Sequence, residues 1–146
     1  MTLISDRLSR FKPSLTVKIS QIAREMTLNG ENVISLSSGE PDFDTPDHIK
    51  DSAIKAINDG FTKYTQVDGI PELKKSIIRK FKNENNLIYS EDQITVGAGG
   101  KHVIFNLLMS TLNKNDEVII PSPYWVSYPD IVTLAEGIPV IVETSM

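Results

Sequence analysis

The chain has 146 residues, 40% hydrophobic and 23% charged, with 8 Gly, 8 Pro and no Cys. That is ordinary globular composition, which argues against disorder, collagen and coiled coil, and its length allows a domain with its own core. A net charge of −4 argues against nucleic acid as the main partner; no apolar run approaches the ~18 residues of a membrane span; and the absence of cysteine removes disulfides, thiolate catalysis and Cys-ligated metals together. Met1 to Arg7 lacks the apolar core and cleavage site of a secretory signal. A cytoplasmic location is therefore expected.

In chain order, residues 1–13 read as an arm ending in Lys12-Pro13. From Ser14 to about Asn29 the apolar residues Leu15, Ile19, Ile22 and Met26 recur at helical spacing, and Asn29-Gly30 closes the pattern. Val33 to Leu36 is a strand candidate. Gly39-Glu40-Pro41-Asp42-Phe43-Asp44-Thr45-Pro46 excludes regular structure. Thr45 is expected to cap the next helix, with Pro46 at its first position. That helix should run to about Asp59 with Ile49, Ala53 and Ile57 inward, and Gly60 should end it. Pro71 opens another helix, with Leu73, Ile77 and Phe81 on one face.

The second half alternates between strands and helices. Ile94-Thr95-Val96, Val118-Ile119-Ile120 and Val140-Ile141-Val142 read as strands. Lys101 to about Leu112 is expected to be helical, as is part of Tyr124 to Ala135. This alternation predicts an α/β layered sheet. Three strands are few for an open sheet, so the sheet is expected to be incomplete and the chain to be part of something longer.

Three segments carry candidate chemistry. Gly97-Ala98-Gly99-Gly100-Lys101 joins a predicted strand to a helix, and a helix N-terminus behind glycines is suited to an anion such as phosphate. The same residues also suit a plain flexible turn. They match neither a Walker A loop nor the dinucleotide fingerprint, since His102 occupies a position each motif gives to another residue. Lys101 is either a solvated helix residue or an anion partner. Glu40, Asp42 and Asp44 lack the ligand number and turn glycine of a calcium loop, so no metal is expected there. Gly39, without a Cβ, allows a ligand close to its backbone. Pro121-Ser122-Pro123-Tyr124-Trp125 begins at a strand's C-terminal end, where α/β sheets place ligands. Trp125, the only tryptophan, suits either stacking on a flat ring or a place in the core. His48 and His102 lack metal spacing and read as surface or satisfied residues.

Taken together, Ser37 to Pro46, then Lys63-Tyr64-Thr65 with Gly69-Ile70-Pro71-Glu72-Leu73, then Gly99-Gly100-Lys101 and Pro121 to Pro129, closely resemble the N-terminal part of bacterial aspartate aminotransferases. These are class I, pyridoxal-phosphate-dependent enzymes of fold type I, well over twice this length. The resemblance spans essentially the whole chain. It implies an incomplete three-layer α/β/α sandwich, with residues 1–44 as an arm and part of a small domain and 45–146 as the N-terminal part of the cofactor-binding large domain.

The resemblance also implies roles for individual residues. Gly99, Gly100 and Lys101 would bind the cofactor phosphate, and Trp125 would stack on the pyridine ring and border the substrate. Tyr64 would reach across a homodimer interface to the neighbouring subunit's phosphate. The backbone of Gly39 would meet the substrate α-carboxylate, and Lys12 would help admit prephenate as well as oxaloacetate. The substrates implied are an amino acid and a 2-oxo acid, L-aspartate and 2-oxoglutarate first. None of this chain's lysines stands in the family's cofactor-anchoring context, so the anchoring lysine is expected beyond residue 146. One departure is that relatives usually carry Thr-Gly-Gly-Lys-Gln where this chain has Ala98-Gly99-Gly100-Lys101-His102.

Overall fold

The computed structural model describes residues 3–10 and 14–145. Among them the helices are α1 (Leu15–Leu28), α2 (Asp47–Asn58), α3 (Pro71–Asn85), α4 (Gly100–Thr111) and α5 (Ser127–Leu134). The strands are β1 (Glu117–Ser122) and β2 (Ile138–Glu143), and short 3-10 turns cover Asp6–Arg10 and Glu91–Gln93. The chain divides into two compact units, one of residues 1–40 with 105–146 and the other of residues 41–104.

In the first unit, β1, α5 and β2 form a β-α-β segment. The two strands pair in parallel, Ile119 opposite Val140 and Ile120 opposite Ile141. A parallel pair needs a crossover, and α5 supplies it. The apolar residues Ile131, Val132 and Ala135 of α5 and its C-cap are buried with Ile120 of β1. Val132 is 1% exposed. Glu136 N–H donates to the Thr133 carbonyl at 3.1 Å and Gly137 N–H to that of Val132 at 2.9 Å. These paired bonds close the helix C-terminus and turn the chain into β2. The 3-10 turn Asp6–Arg10 packs on α5, and Arg10 pairs with Glu136 at 3.2 Å.

Helix α1 forms where its spacing predicts. Its apolar face borders a groove whose other side is Val33, Ile34 and Leu36. Val33 to Leu36 is irregular rather than a strand. Ile34 and Leu36 are exposed, and a short apolar run without a neighbouring ladder has nothing to pair with.

In the second unit the expected Thr45 cap does not form. Pro46 itself is the N-cap, at φ −52° and ψ 140°, with no side-chain cap bond. Its carbonyl accepts the N–H groups of Ile49 and Lys50 at 2.9 and 3.2 Å. The Pro46 carbonyl thus takes the helix's first backbone bonds, and no side chain supplements it. The inward face expected of α2 is also absent: Ile49, Ala53 and Ile57 are all exposed, because no described element packs on this helix. Helix α3 starts as expected, with Pro71 in its first turn, and stops at Asn86 in the left-handed region at φ 56°.

Ile94 to Val96 is extended but is not a ladder strand. Its partner is a loop, since Val96 N–H donates to the Asp68 carbonyl at 2.9 Å. The sheet therefore has two strands among the described residues rather than three. No described helix is long and apolar enough to cross a membrane.

Candidate functional site

The glycine turn lies in the second unit. Val96 leads into Gly97 to Gly99, and α4 starts at Gly100. Gly99 N–H donates to the Gly97 carbonyl at 2.9 Å, which tightens the turn just before the helix. Gly99 has φ +88°, a conformation that costs a side-chain-bearing residue about 1–2 kcal/mol. A Cβ added at Gly99 or Gly100 would meet nothing within 4 Å. Both residues therefore border open space at a helix N-terminus; the first-turn N–H groups, which a helix cannot satisfy from its own carbonyls, begin at Gly100, since the Gly99 N–H is already given to Gly97. That combination fits a phosphate dianion. Lys101 is exposed in the first turn of α4, so the cationic side chain and the open backbone share one helix end.

The structure explains what stands at the position where the motif departs from its relatives. His102 folds back over the turn, and its Nδ1 accepts the Ala98 N–H at 3.0 Å. In that bond Nδ1 carries no proton. The histidine read from sequence as a surface or satisfied residue is exposed and at the same time clamps the turn through this bond.

The turn is approached through a polar tie that the helical pattern of α3 only hinted at. Lys74 is 5% exposed. Its ammonium donates to the Asp68 carboxylate and, at 3.1 Å, to the Glu91 carbonyl. The Lys74 contact is the leading cause holding the Asp68 carboxyl below its ordinary value of 3.8. Asp92 is likewise held low, chiefly by the Ser90 hydroxyl. The available sequence signal for Lys74 was a cation one residue after Leu73 and three before Ile77, beside the apolar stripe of α3. Lysine at a buried position requires a partner. Asp68 lies six residues before Lys74, across a turn that sequence alone does not shape.

The remaining candidates stand as follows. Trp125 follows the C-terminal end of β1 and is 51% exposed, so the core alternative does not hold. Its carbonyl accepts the Tyr128 N–H at 3.0 Å as α5 begins. Tyr64 is fully exposed. Gly39 is exposed, and a Cβ there would meet nothing within 4 Å. Lys12 lies outside the described residues. Gly39 and Trp125 belong to the first unit; Tyr64 and the glycine turn belong to the second. Among the described residues no group of three or more His, Asp or Glu side chains is placed to hold a metal ion.

Residues 31–145 match the family described as aminotransferase class I and II. The chain is 58% identical over all its residues to an aspartate/prephenate aminotransferase of Cereibacter sphaeroides, of which it covers 36%. It is 60% identical over 137 residues to a probable aspartate/prephenate aminotransferase of Rhizobium leguminosarum bv. phaseoli, covering 94% of this chain and 34% of that protein. Among solved structures, it is similar to the aspartate aminotransferase of Thermus thermophilus with maleate at TM-score 0.95 and 45% identity, covering 99% of this chain and 38% of that one. The aspartate aminotransferase of Rhizobium meliloti gives 0.90 and 49%, covering 99% and 36%. The chain thus spans about a third of the length of the relatives it matches.

Proposed function

The chain belongs to the class I and II aminotransferases, and from that premise we propose that it supplies the phosphate cradle and ring-facing aromatic of a pyridoxal-phosphate site. The observation that carries this reading is the open, glycine-lined N-terminus of α4. The fold is the α/β fold of the aspartate aminotransferases it resembles. We assign residues 1–44 to the arm and small domain and 45–146 to the N-terminal part of the large domain.

The bound group supplies an electron sink for chemistry at the amino acid's α-carbon. The residues of this chain bind and orient it. The Gly100 N–H and the side chain of Lys101 hold the phosphate, and Gly99, whose own N–H is given to Gly97, leaves the approach open for lack of a side chain. Trp125, half exposed, stacks on the ring. Gly39 leaves room for a substrate carboxylate near its backbone. Tyr64, fully exposed, serves a second subunit of a homodimer, and Lys12 helps admit prephenate as well as oxaloacetate. The complete enzyme, in this reading cytoplasmic, transfers the amino group of L-aspartate to 2-oxoglutarate. Prephenate is a second acceptor, favoured by the names of the relatives near 58–60% identity.

Trp125 is the sole tryptophan, so its fluorescence reports on the proposed ring contact. Titration with pyridoxal phosphate should quench it saturably, and inorganic phosphate should relieve the quenching by competition. No quenching at millimolar cofactor would sink the reading. With pyridoxal phosphate, aspartate and 2-oxoglutarate, the 146-residue polypeptide alone should form no glutamate above background. None of its lysines is assigned the anchoring and proton-moving role, so turnover would show that assignment to be wrong.

A further inference from the structure

Lysine is rarely buried, and holding it there requires compensation from acceptors. Lys74 is the one buried charged residue among those described, and the cofactor-binding roles above do not use it. Its ammonium joins three stretches of the second unit: α3, which carries it, the loop at Asp68, and the 3-10 turn at Glu91. Both of its acceptors flank the segment that enters the glycine turn. Glu91 precedes Ile94 by three residues, and the Asp68 carbonyl accepts the Val96 N–H at 2.9 Å. The contact at Val96 is tight. Gly69, at φ +109°, stands so close that a Cβ there would lie 2.6 Å from Val96 Cγ2. A shift of the 68–69 loop therefore moves Val96, and the chain from Val96 to Gly99 is only three residues long. Backbone donors must be placed to a fraction of an ångström to hold an oxyanion well.

We propose that Lys74 is a positioning residue for the glycine turn, holding through Asp68 and Glu91 the segment that sets Gly97 to Gly100 at the start of α4. The proposal rests on the phosphate reading of that turn. Lys74 acts through its neighbours and touches no ligand. The neighbouring ion pair Lys75–Glu91, at 3.9 Å between two exposed side chains, adds little.

The test uses the isotopically labelled full chain and its Lys74→Met and Lys74→Arg variants. Two quantities are read: amide hydrogen exchange at Val96, Gly99 and Gly100, and the response of the Gly99 and Gly100 amide resonances to inorganic phosphate. Lys74→Met keeps the apolar stem and removes the charge-assisted bonds. It should speed exchange at Val96 by about tenfold or more and weaken phosphate by a similar factor, with helix content retained by circular dichroism. Lys74→Arg should recover both to within about threefold, since a long cation can reach the same acceptors. Wild-type exchange at Val96 in a folded Lys74→Met variant would overturn the proposal. If the resonances of the unaltered chain ignore millimolar phosphate, the phosphate reading fails by itself, and the tether is judged on Val96 exchange alone. If Lys74→Met does not fold, Asp68→Asn takes its place. It should speed Val96 exchange about threefold, and no change there would equally overturn the proposal.

Discussion

The β1–α5–β2 segment and α2 carry similar information in their sequences, apolar residues at regular spacing, yet only one of them becomes a core. Ile120, Ile131, Val132 and Ala135 are buried against each other's elements. Ile49, Ile54 and Ile57 of α2 stay exposed. The difference lies in what packs on each face. A parallel strand pair with its crossover closes a small core within about 27 residues, whereas a lone helix has no second surface of its own. Apolar periodicity thus reports a face that is able to be buried; a partner element decides whether it is.

Substitutions turn that contrast into measurements. Ile131→Ala should cost about 3 kcal/mol in urea unfolding, the usual range for emptying a buried aliphatic site. Ile57→Ala, on the exposed face of α2, should stay within about 0.5 kcal/mol. Equal losses at the two sites would show that something covers α2 in solution and would erase the contrast.

The glycine turn belongs to neither case: hydrogen bonds close it, and Val103 lies tight against Gly97 beside them. Gly99→Ala should cost about 1–2 kcal/mol, because φ +88° is unfavourable once a Cβ is present. It should also reduce phosphate binding, read from the amide resonance of the residue that follows. A smaller effect is expected at His102. His102→Ala removes the acceptor of the Ala98 N–H and should cost about 1 kcal/mol in thermal unfolding. His102→Gln keeps an acceptor on the same helix position and should lose less. Equal losses for the two variants would show that the imidazole acts by packing and not by accepting that bond.

The smallest effect should appear in acid. Asp68 is held below its ordinary 3.8 chiefly by the Lys74 contact. A carboxyl lowered in the folded state stabilises fully above its ordinary value, and that contribution is lost as pH falls through the lower folded value. Unfolding curves should therefore show a stability loss below about pH 4 that Asp68→Asn flattens. An unchanged acid limb in that variant would mean that other carboxylates dominate.

Much of the molecule was legible in the residues themselves. The spacing of Leu15, Ile19, Ile22 and Met26 located α1, Pro71 located the start of α3, and the apolar triplets around Ile119 and Ile141 located both strands. The glycine turn was legible for the same reason: backbone conformations that only glycine tolerates leave a mark in composition. Val33 to Leu36 and Ile94 to Val96 were read as strands because they have a strand's composition. A strand also needs a neighbour in register, and composition does not supply one.

Local chemistry in this protein, its helix spans, turn residues and the glycine-lined start of α4, was determined by the order of amino acids alone, because each depends on interactions between residues a few positions apart. Tertiary structure alone decided which apolar faces are covered and that a lysine seventeen residues from Glu91 is held inside, with the Glu91 carbonyl and the Asp68 carboxylate as its acceptors. Those outcomes depend on groups far apart in the chain arriving at one place, where burial and hydrogen-bond geometry select among conformations that the local sequence leaves open.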